Sequence, residues 1–448
     1  MTPVLCRMVR GSALLALATY AVAFAPAANV LVVAEQSEAT PLGPGIAAKQ
    51  LSTWTLTPEH QLTVKSGTDA AATGAAVSSI PADYVFILRE HAVEDAAKAS
   101  IEIMASAQAN ELAQRIATLL SAPPAAEADP AVPKQADDAA ALSATISAPP
   151  VHLGPLETTG DLGKLASGKA VIVIDAPSNE RLPVSQRARM FRVAVNELLA
   201  KDLKAYDKGL NHVLPDAEKG VRRIGVYDGL GSNRSPGPEA MYGILSTLKD
   251  VRVTFVGPSE LRDADAVKQF DVLMFPGGSG SGQARALGPT GRANVKSWVD
   301  AGGAYVGNCA GGYFASSGYK WSLGLLNVTT VDSAHWNRGT GDVQVELTDD
   351  GKHLLGDHAT ITLKYANGPI FAPANRSDLP AVTVLAHYRS ELAKNGAVVG
   401  AMVNTPAVVT APFGHGRVVA FSCHPEYSKD YKDFIVKAVD WATSAPSK

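Results

Sequence analysis

Three short stretches of this chain carry residue types that could open an amide or ester bond. The first is Ala304-Tyr305-Val306-Gly307-Asn308-Cys309-Ala310-Gly311-Gly312, where an apolar run enters Gly-x-Cys-x-Gly. This is the thiol form of a nucleophile elbow, a strained strand-to-helix turn that lifts one reactive side chain off a sheet. Glycines two before and two after the cysteine are expected there, because side chains would strike the neighbouring strand and helix. A helix start behind Cys309 would favour the thiolate, the form that attacks carbonyls. Taken alone, the stretch also reads as a buried cysteine in a glycine-rich turn.

The second stretch, Leu273-Met274-Phe275-Pro276-Gly277-Gly278, ends an apolar strand in a turn whose backbone N–H groups have no covering side chains. One of the Gly277 and Gly278 amides, together with that of Ala310, could bind a developing oxyanion. Gly-Gly turns are also common at sheet edges. In the third, Val418-Val419-Ala420-Phe421-Ser422-Cys423-His424-Pro425-Glu426, an apolar strand delivers a histidine and, two residues on, a glutamate. In an extended segment these two approach the same side, so Glu426 can orient the His424 ring. That is the base and orienter a thiol nucleophile needs.

The elements that must position these groups show in the hydrophobic pattern. From Val221 onward, Arg223–Tyr227, Val251–Val256 and Asp271–Phe275 read as short buried strands, with an amphipathic helix over Glu239–Lys249 between the first two. Continuous apolar strands alternating with helices predict a doubly wound, mostly parallel α/β sheet with flanking helices. Asp342–Leu347, Ala359–Tyr365 and Ala381–Arg389 read as an insertion or an antiparallel edge.

Upstream the signal weakens. Residues 1–28 have the form of a signal peptide: Arg7 and Arg10, an apolar run from Ala13 to Ala25, then Ala25-Pro26-Ala27. The uncharged stretch reaches Ala34, so an uncleaved membrane anchor is the alternative, against which Pro26 and Asn29 speak. Export to a periplasmic or extracellular space is the expectation. Residues 29–150 read as a poorly ordered linker, with an amphipathic helix over His91–Leu120 and an Ala/Pro/Asp spacer over Ser121–Pro150. Residues 151–220 hold a strand at Ala170–Ile174 and a helix over Ser185–Lys201, read as a small α/β appendage. Residues 221–448 form the main domain.

The order strand-Pro-Gly-Gly, strand-Gly-x-Cys-x-Gly, strand-His-Pro-Glu resembles that of class I glutamine amidotransferases, which implies a flavodoxin-like fold. The resemblance implies Cys309 as nucleophile, His424 as base and Glu426 as orienting carboxylate. Within that superfamily, Gly225-Val226-Tyr227-Asp228-Gly229-Leu230-Gly231-Ser232, Phe275-Pro276-Gly277-Gly278 and Asn308-Cys309-Ala310-Gly311-Gly312-Tyr313 are similar to the N-terminal amidotransferase-like domain of some biotin–protein ligases. So are Tyr365-Ala366-Asn367-Gly368-Pro369 and Cys423-His424-Pro425-Glu426-Tyr427; the likeness runs from about Val221 to Trp441. No ligase catalytic domain is expected after it. Glutamine-hydrolysing relatives place a leucine-glycine pair and a glutamine after the nucleophile. Here Ala310-Gly311-Gly312-Tyr313 follows, so glutamine is not implied as the substrate.

Asp228, Asn308, Tyr313, His335 and Asn367 are candidates for a substrate pocket above the sheet, where ligands bind in such folds. Cys423 should face away from Cys309 by strand alternation and stay inert. His415, in Phe413-Gly414-His415-Gly416-Arg417, reads as a hairpin-turn residue. No cofactor is expected, and neither His335-Trp336 nor His353 with His358 has metal-ligand spacing. With 40 Lys and Arg against 43 Asp and Glu in 448 residues, the net charge of −3 gives no reason to expect nucleic acid. The expected partner is a small-molecule or peptide carbonyl compound, with membrane association only through the N-terminus. The reading is therefore a Cys-His-Glu hydrolase or amidase, with a non-catalytic binding module on the same fold as the alternative.

Overall fold

The computed structural model describes residues 27–35, 43–93, 99–121, 149–157, 164, 168–178, 182–206, 210–232 and 235–444. The expected signal segment falls outside them as far as residue 26, and the Ala/Pro/Asp spacer does so over 122–148. Two sheets organise what remains. The first joins β1 (Asn29–Glu35), β2 (Gln61–Thr68), β3 (Tyr84–Ala92), β4 (Ile101–Ala105), β5 (Val151–Pro155) and β6 (Ala170–Ser178) in the order β2-β1-β3-β6-β4-β5. β2, β1, β3 and β6 run parallel, while β4 meets β6 antiparallel.

Over its described residues as far as 121, this sheet corrects the reading of residues 29–150 as linker and helix. Val30 to Ala34 are apolar because β1 is a core strand, each residue at most 1% exposed. The apolar run that could have extended an anchor is thus sheet core. Over residues 61–79 the elements hid because they bury little. The edge strand β2 has no buried residue, and α2 (Ala70–Ser79) buries only Thr73 and Val77. The expected helix over 91–120 is instead the end of β3, then β4, then α3 (Asn110–Ser121). In β4 the buried residues Ile101, Ile103 and Ala105 alternate with period two. Set among longer gaps, the same apolar residues mimic helical spacing, the ambiguity of short apolar runs. Residues 151–178 are likewise no appendage, since β6 lies between β3 and β4.

α1 (Gly43–Leu51) and α4 (Val184–Glu197) cover one face of the sheet. Their Ile46, Leu51, Phe191 and Val195 join the cluster of Val30, Val32 and Phe86. Val77 of α2 closes the other face against Leu31, Val33, Val85 and Val173.

The second sheet contains β7 (Arg222–Tyr227), β8 (Val251–Val256), β9 (Val272–Phe275), β10 (Ala304–Asn308), β11 (Thr340–Leu347), β12 (Thr360–Ala366), β13 (Thr383–Tyr388), β14 (Pro406–Phe413) and β15 (Gly416–Phe421). Their order is β8-β7-β9-β10-β15-β14-β13-β11-β12. The first five run parallel, and β9 and β10 are buried throughout, as strands covered on both faces must be. The remaining four extend the sheet antiparallel. β14 and β15 must be antiparallel because only Gly414 and His415 join them, with Phe413 paired to Gly416. His415 is the turn residue the sequence indicated.

The two units meet through α4 and α5 (Gly237–Leu245), where Arg192 Nε donates to Glu239 Oε1 at 2.5 Å with both side chains at most 2% exposed. A second contact gathers Gln50, His212, Asp228 and Glu260. Gln50 Nε2 donates to Asp228 at 2.9 Å, and His212 lies 3.1 Å from both Asp228 and Glu260. Among the described residues no helix is long and apolar enough to cross a membrane.

Candidate active site

β10 runs buried to Asn308, and the chain then reverses at Cys309 into α8, the short helix Ala310–Ala315 (α6 and α7 are Pro258–Arg262 and Gly280–Asp300). Cys309 takes φ +48° and ψ −101°, a conformation that costs an L residue on the order of 1–3 kcal/mol and recurs where function needs it. Its N–H is held by the Phe421 carbonyl of β15 at 2.8 Å. The flanking glycines are required by contact. A Cβ on Gly307 would lie 2.6 Å from the Gly311 carbonyl oxygen, and one on Gly311 only 2.0 Å from that of Phe275. The first clash is with the helix and the second with the neighbouring strand.

β15 lies beside β10, so the residues following Phe421 arrive next to Cys309. His424 is pinned by its N–H to the Lys364 carbonyl at 2.8 Å, and a 3-10 turn over Pro425–Tyr427 then folds Glu426 back. That turn, rather than an extended segment, brings Glu426 Oε1 to 2.7 Å from His424 Nδ1. A carboxylate only accepts, so Nδ1 donates, and in the neutral ring Nε2 keeps its lone pair. Asn308 Nδ2 donates to the other Glu426 oxygen at 2.7 Å. The Tyr427 ring stacks on the imidazole with centroids 5.0 Å apart and 15° between planes.

His424 Nε2 is buried and meets no partner with hydrogen-bond geometry among the described residues. Cys309 is nevertheless its electrostatic neighbour. Burial alone would lower the imidazole's pKa, but Glu426 and then Cys309 raise it from 6.5 to about 10. Gly277 shows how close the groups stand. A Cβ built there would meet His424 Cε1 at 2.7 Å and Cys309 Cβ at 3.7 Å. Catalytic hydrogen bonds are often loose without substrate, so the missing Nε2 contact leaves the base assignment open to chemistry.

Cys309 opens on a cleft lined also by Gly278, Ser279, Gly280, Ser281, Tyr313, Tyr319, Trp321, Ser333, Trp336, Ala366 and Asn367. Its volume is about 60 Å³. Of the sequence candidates, Cys309, Gly278, Tyr313 and Asn367 line it. Gly277, Ala310, His424 and Glu426 stand directly behind. Asp228 does not belong there: it is fully buried against Gln50 and His212 at the contact between the two units. Asn308 is a positioning residue for Glu426 rather than a pocket wall. His335 pairs with Asp332 at 2.6 Å and is not part of the lining. The aromatic wall of Tyr319, Trp321 and Trp336 was missed, because it comes from loops with no strand or helix periodicity. Their one signal was the density of aromatic residues shortly after the nucleophile.

Cys423, one residue before His424, is turned into the core. It is fully buried, donates to Tyr388 Oη at 3.3 Å, and burial pushes its thiol up to about 12. Both Cys309 and Cys423 are free thiols.

Against known proteins, a family model described as the N-terminal part of biotin–protein ligase matches residues 222–334 and 333–442. A biotin–protein ligase of Schizosaccharomyces pombe is 26% identical over 230 residues, which is 47% of this chain and 34% of that protein. The chain thus spans about a third of the length of this curated relative. Among solved structures, a glutamine amidotransferase of Thermotoga maritima is matched over 51% of this chain and 100% of its own at 11% identity and a TM-score of 0.34. PurLQS from the same organism is matched over 50% of this chain and 97% of its own, at 16% identity and a TM-score of 0.35.

Proposed function

Taking residues 222–442 as a domain of the class I glutamine amidotransferase-like superfamily, of the kind found at the N-terminus of biotin–protein ligases, we propose that the chain is a cysteine-dependent hydrolase or amidase. Its substrate is an amide or related carbonyl compound, and Cys309, His424 and Glu426 do the chemistry. One observation carries this reading. A buried imidazole has one nitrogen tied to a carboxylate and the other without a hydrogen-bond partner, beside a cysteine on a strained turn.

In the resting site the Cys309 proton resides on His424 Nε2, and Glu426 stabilises that imidazolium beside the thiolate. The sulfur attacks the carbonyl carbon, and the amides of Gly277 or Gly278 and of Ala310 receive the negative oxygen. One such donor lowers the barrier by about 3 kcal/mol. Collapse breaks the bond to the leaving amine or alcohol, which takes the proton from His424 and leaves a thioester. Water, deprotonated by the same imidazole, then releases the acid. Cys423 takes no part.

Export belongs to the same proposal. A basic n-region and apolar run at the N-terminus would deliver the enzyme outside the cytoplasm, where an unpaired thiol needs a chemical use. The test is to trap the thioester: a 4-nitrophenyl ester should release one equivalent of nitrophenolate in a burst and add its acyl mass to Cys309. His424→Ala should abolish both. Sluggish alkylation of Cys309 with no acyl adduct would instead identify a binding module that keeps the fold without turnover.

A further inference from the structure

Resting on the acyl-transfer reading above, we propose that the Cys309 cleft selects a neutral carboxamide or ester whose acyl group bears an aromatic ring, and rejects free amino acids. The first support is the absence of charge. No Asp, Glu, Lys, Arg or His lines the cleft among the described residues. A free amino acid brings an ammonium and a carboxylate, and each would be desolvated there without a partner. Asp332, next in sequence to the lining residue Ser333, is already held by Arg338 and His335 at 2.6 Å each.

The wall supplies the second support. Tyr319 stacks on Trp321 with centroids 4.6 Å apart, and Tyr313 meets Tyr319 tilted by 60° at 6.0 Å. Trp336 faces the same space. A ring entering beside them finds both faces and edges, the two arrangements aromatic pairs prefer. Asn367 is the third support. It lines the cleft at 5% exposure, its Oδ1 is occupied by the Gly339 N–H at 2.7 Å, and its Nδ2 has no acceptor among the described residues. A buried donor left unmet is costly, so the site calls for an uncharged acceptor on the substrate. Asn367 is also fixed in the left-handed region at φ +57°, one residue from the Ala366 carbonyl that accepts from Cys309 Sγ.

The experiment measures acylation of the full chain by 4-nitrophenyl acetate, 4-nitrophenyl phenylacetate and the anionic 4-nitrophenyl hydrogen succinate, with L-glutamine followed by ammonia release. Each ester acylates Cys309 as the S–C bond forms, the C–O bond breaks and nitrophenolate leaves with the electron pair. Expected are a kcat/KM about tenfold or more higher for phenylacetate than for acetate, and about tenfold lower for succinate, with no ammonia from glutamine. Trp321→Ala, and independently Trp336→Ala, should bring the phenylacetate-to-acetate ratio to about 3 or below. A wild-type ratio near one, or succinate or glutamine reacting as fast as acetate, overturns the inference while the acyl-transfer reading survives. Failure of every ester to acylate Cys309 overturns both.

Discussion

Glu426→Gln is the substitution that separates a working base from a merely buried histidine. The change is nearly isosteric, so the amide oxygen can still accept from Asn308 Nδ2, which now donates to Glu426 at 2.7 Å. The new amide nitrogen would then face His424 Nδ1 and donate to it, forcing the ring proton onto Nε2, the wrong nitrogen for a base. The charge is lost as well. In the native protein the His424 pKa stands at about 10 because Glu426 and Cys309 outweigh the lowering by burial. Without the carboxylate the lowering by burial remains and only Cys309 opposes it, so the ring's pKa falls. At pH 8 the native ring is cationic, and the variant ring is less so. The cation that stabilises a thiolate is therefore depleted, by about tenfold for each unit the pKa drops below the pH, before the tautomer penalty is added. The assay is the rate of iodoacetamide alkylation of Cys309, followed by mass spectrometry from about pH 5 to pH 10.5. Glu426→Gln should slow alkylation at pH 8 by about tenfold or more, because it removes the charge that holds the imidazolium beside the sulfur. A variant whose rate and profile match the native protein would refute the coupling of Glu426, His424 and Cys309.

Four further outcomes follow from the structure. Gly311→Ala places a methyl 2.0 Å from the Phe275 carbonyl and should cost roughly 2 kcal/mol or more in chemical denaturation, together with Cys309 reactivity. Gly45→Ala, with nothing within 4 Å of its Cβ, should be neutral or stabilising by up to about 1 kcal/mol. His212 is raised to about 10 by Asp228 and Glu260 against the lowering by burial, so its stabilisation is complete below pH 6.5 and is lost as pH rises through about 10. The melting temperature should thus fall between pH 7 and 10, and fall less in His212→Gln; equal slopes would remove His212 from the contact between the units. Finally, alkylation of the native protein at pH 8 should spare Cys423, whose thiol is pushed up to about 12, and Cys423→Ser should leave the Cys309 rate within about twofold.

The local chemistry of the C-terminal half was legible because it is written in contiguous stretches. Gly307-Asn308-Cys309-Ala310-Gly311 specifies its own turn, since each glycine answers a contact made within that turn or with the adjacent strand. His424 and Glu426 lie two residues apart, so their pairing needed only a bend in the backbone. The buried parallel strands announced themselves by continuous apolar runs, whereas in the first sheet only β6 was legible as a strand. Its edge strand β2 is exposed and polar, and β4 hides within a pattern of apparent helical spacing.

The sequence by itself determined the nucleophile elbow, the histidine–carboxylate pair and the alternating α/β order of residues 221–448. Only the tertiary structure decided that Asp228 belongs to a contact between units, that Asn308 serves Glu426, and that loop aromatics wall the cleft. The physical reason is the range of the interactions. Steric demands and hydrogen bonds between near neighbours leave a mark on consecutive residues. A carboxylate meeting a glutamine 178 positions away leaves none until the chain has folded.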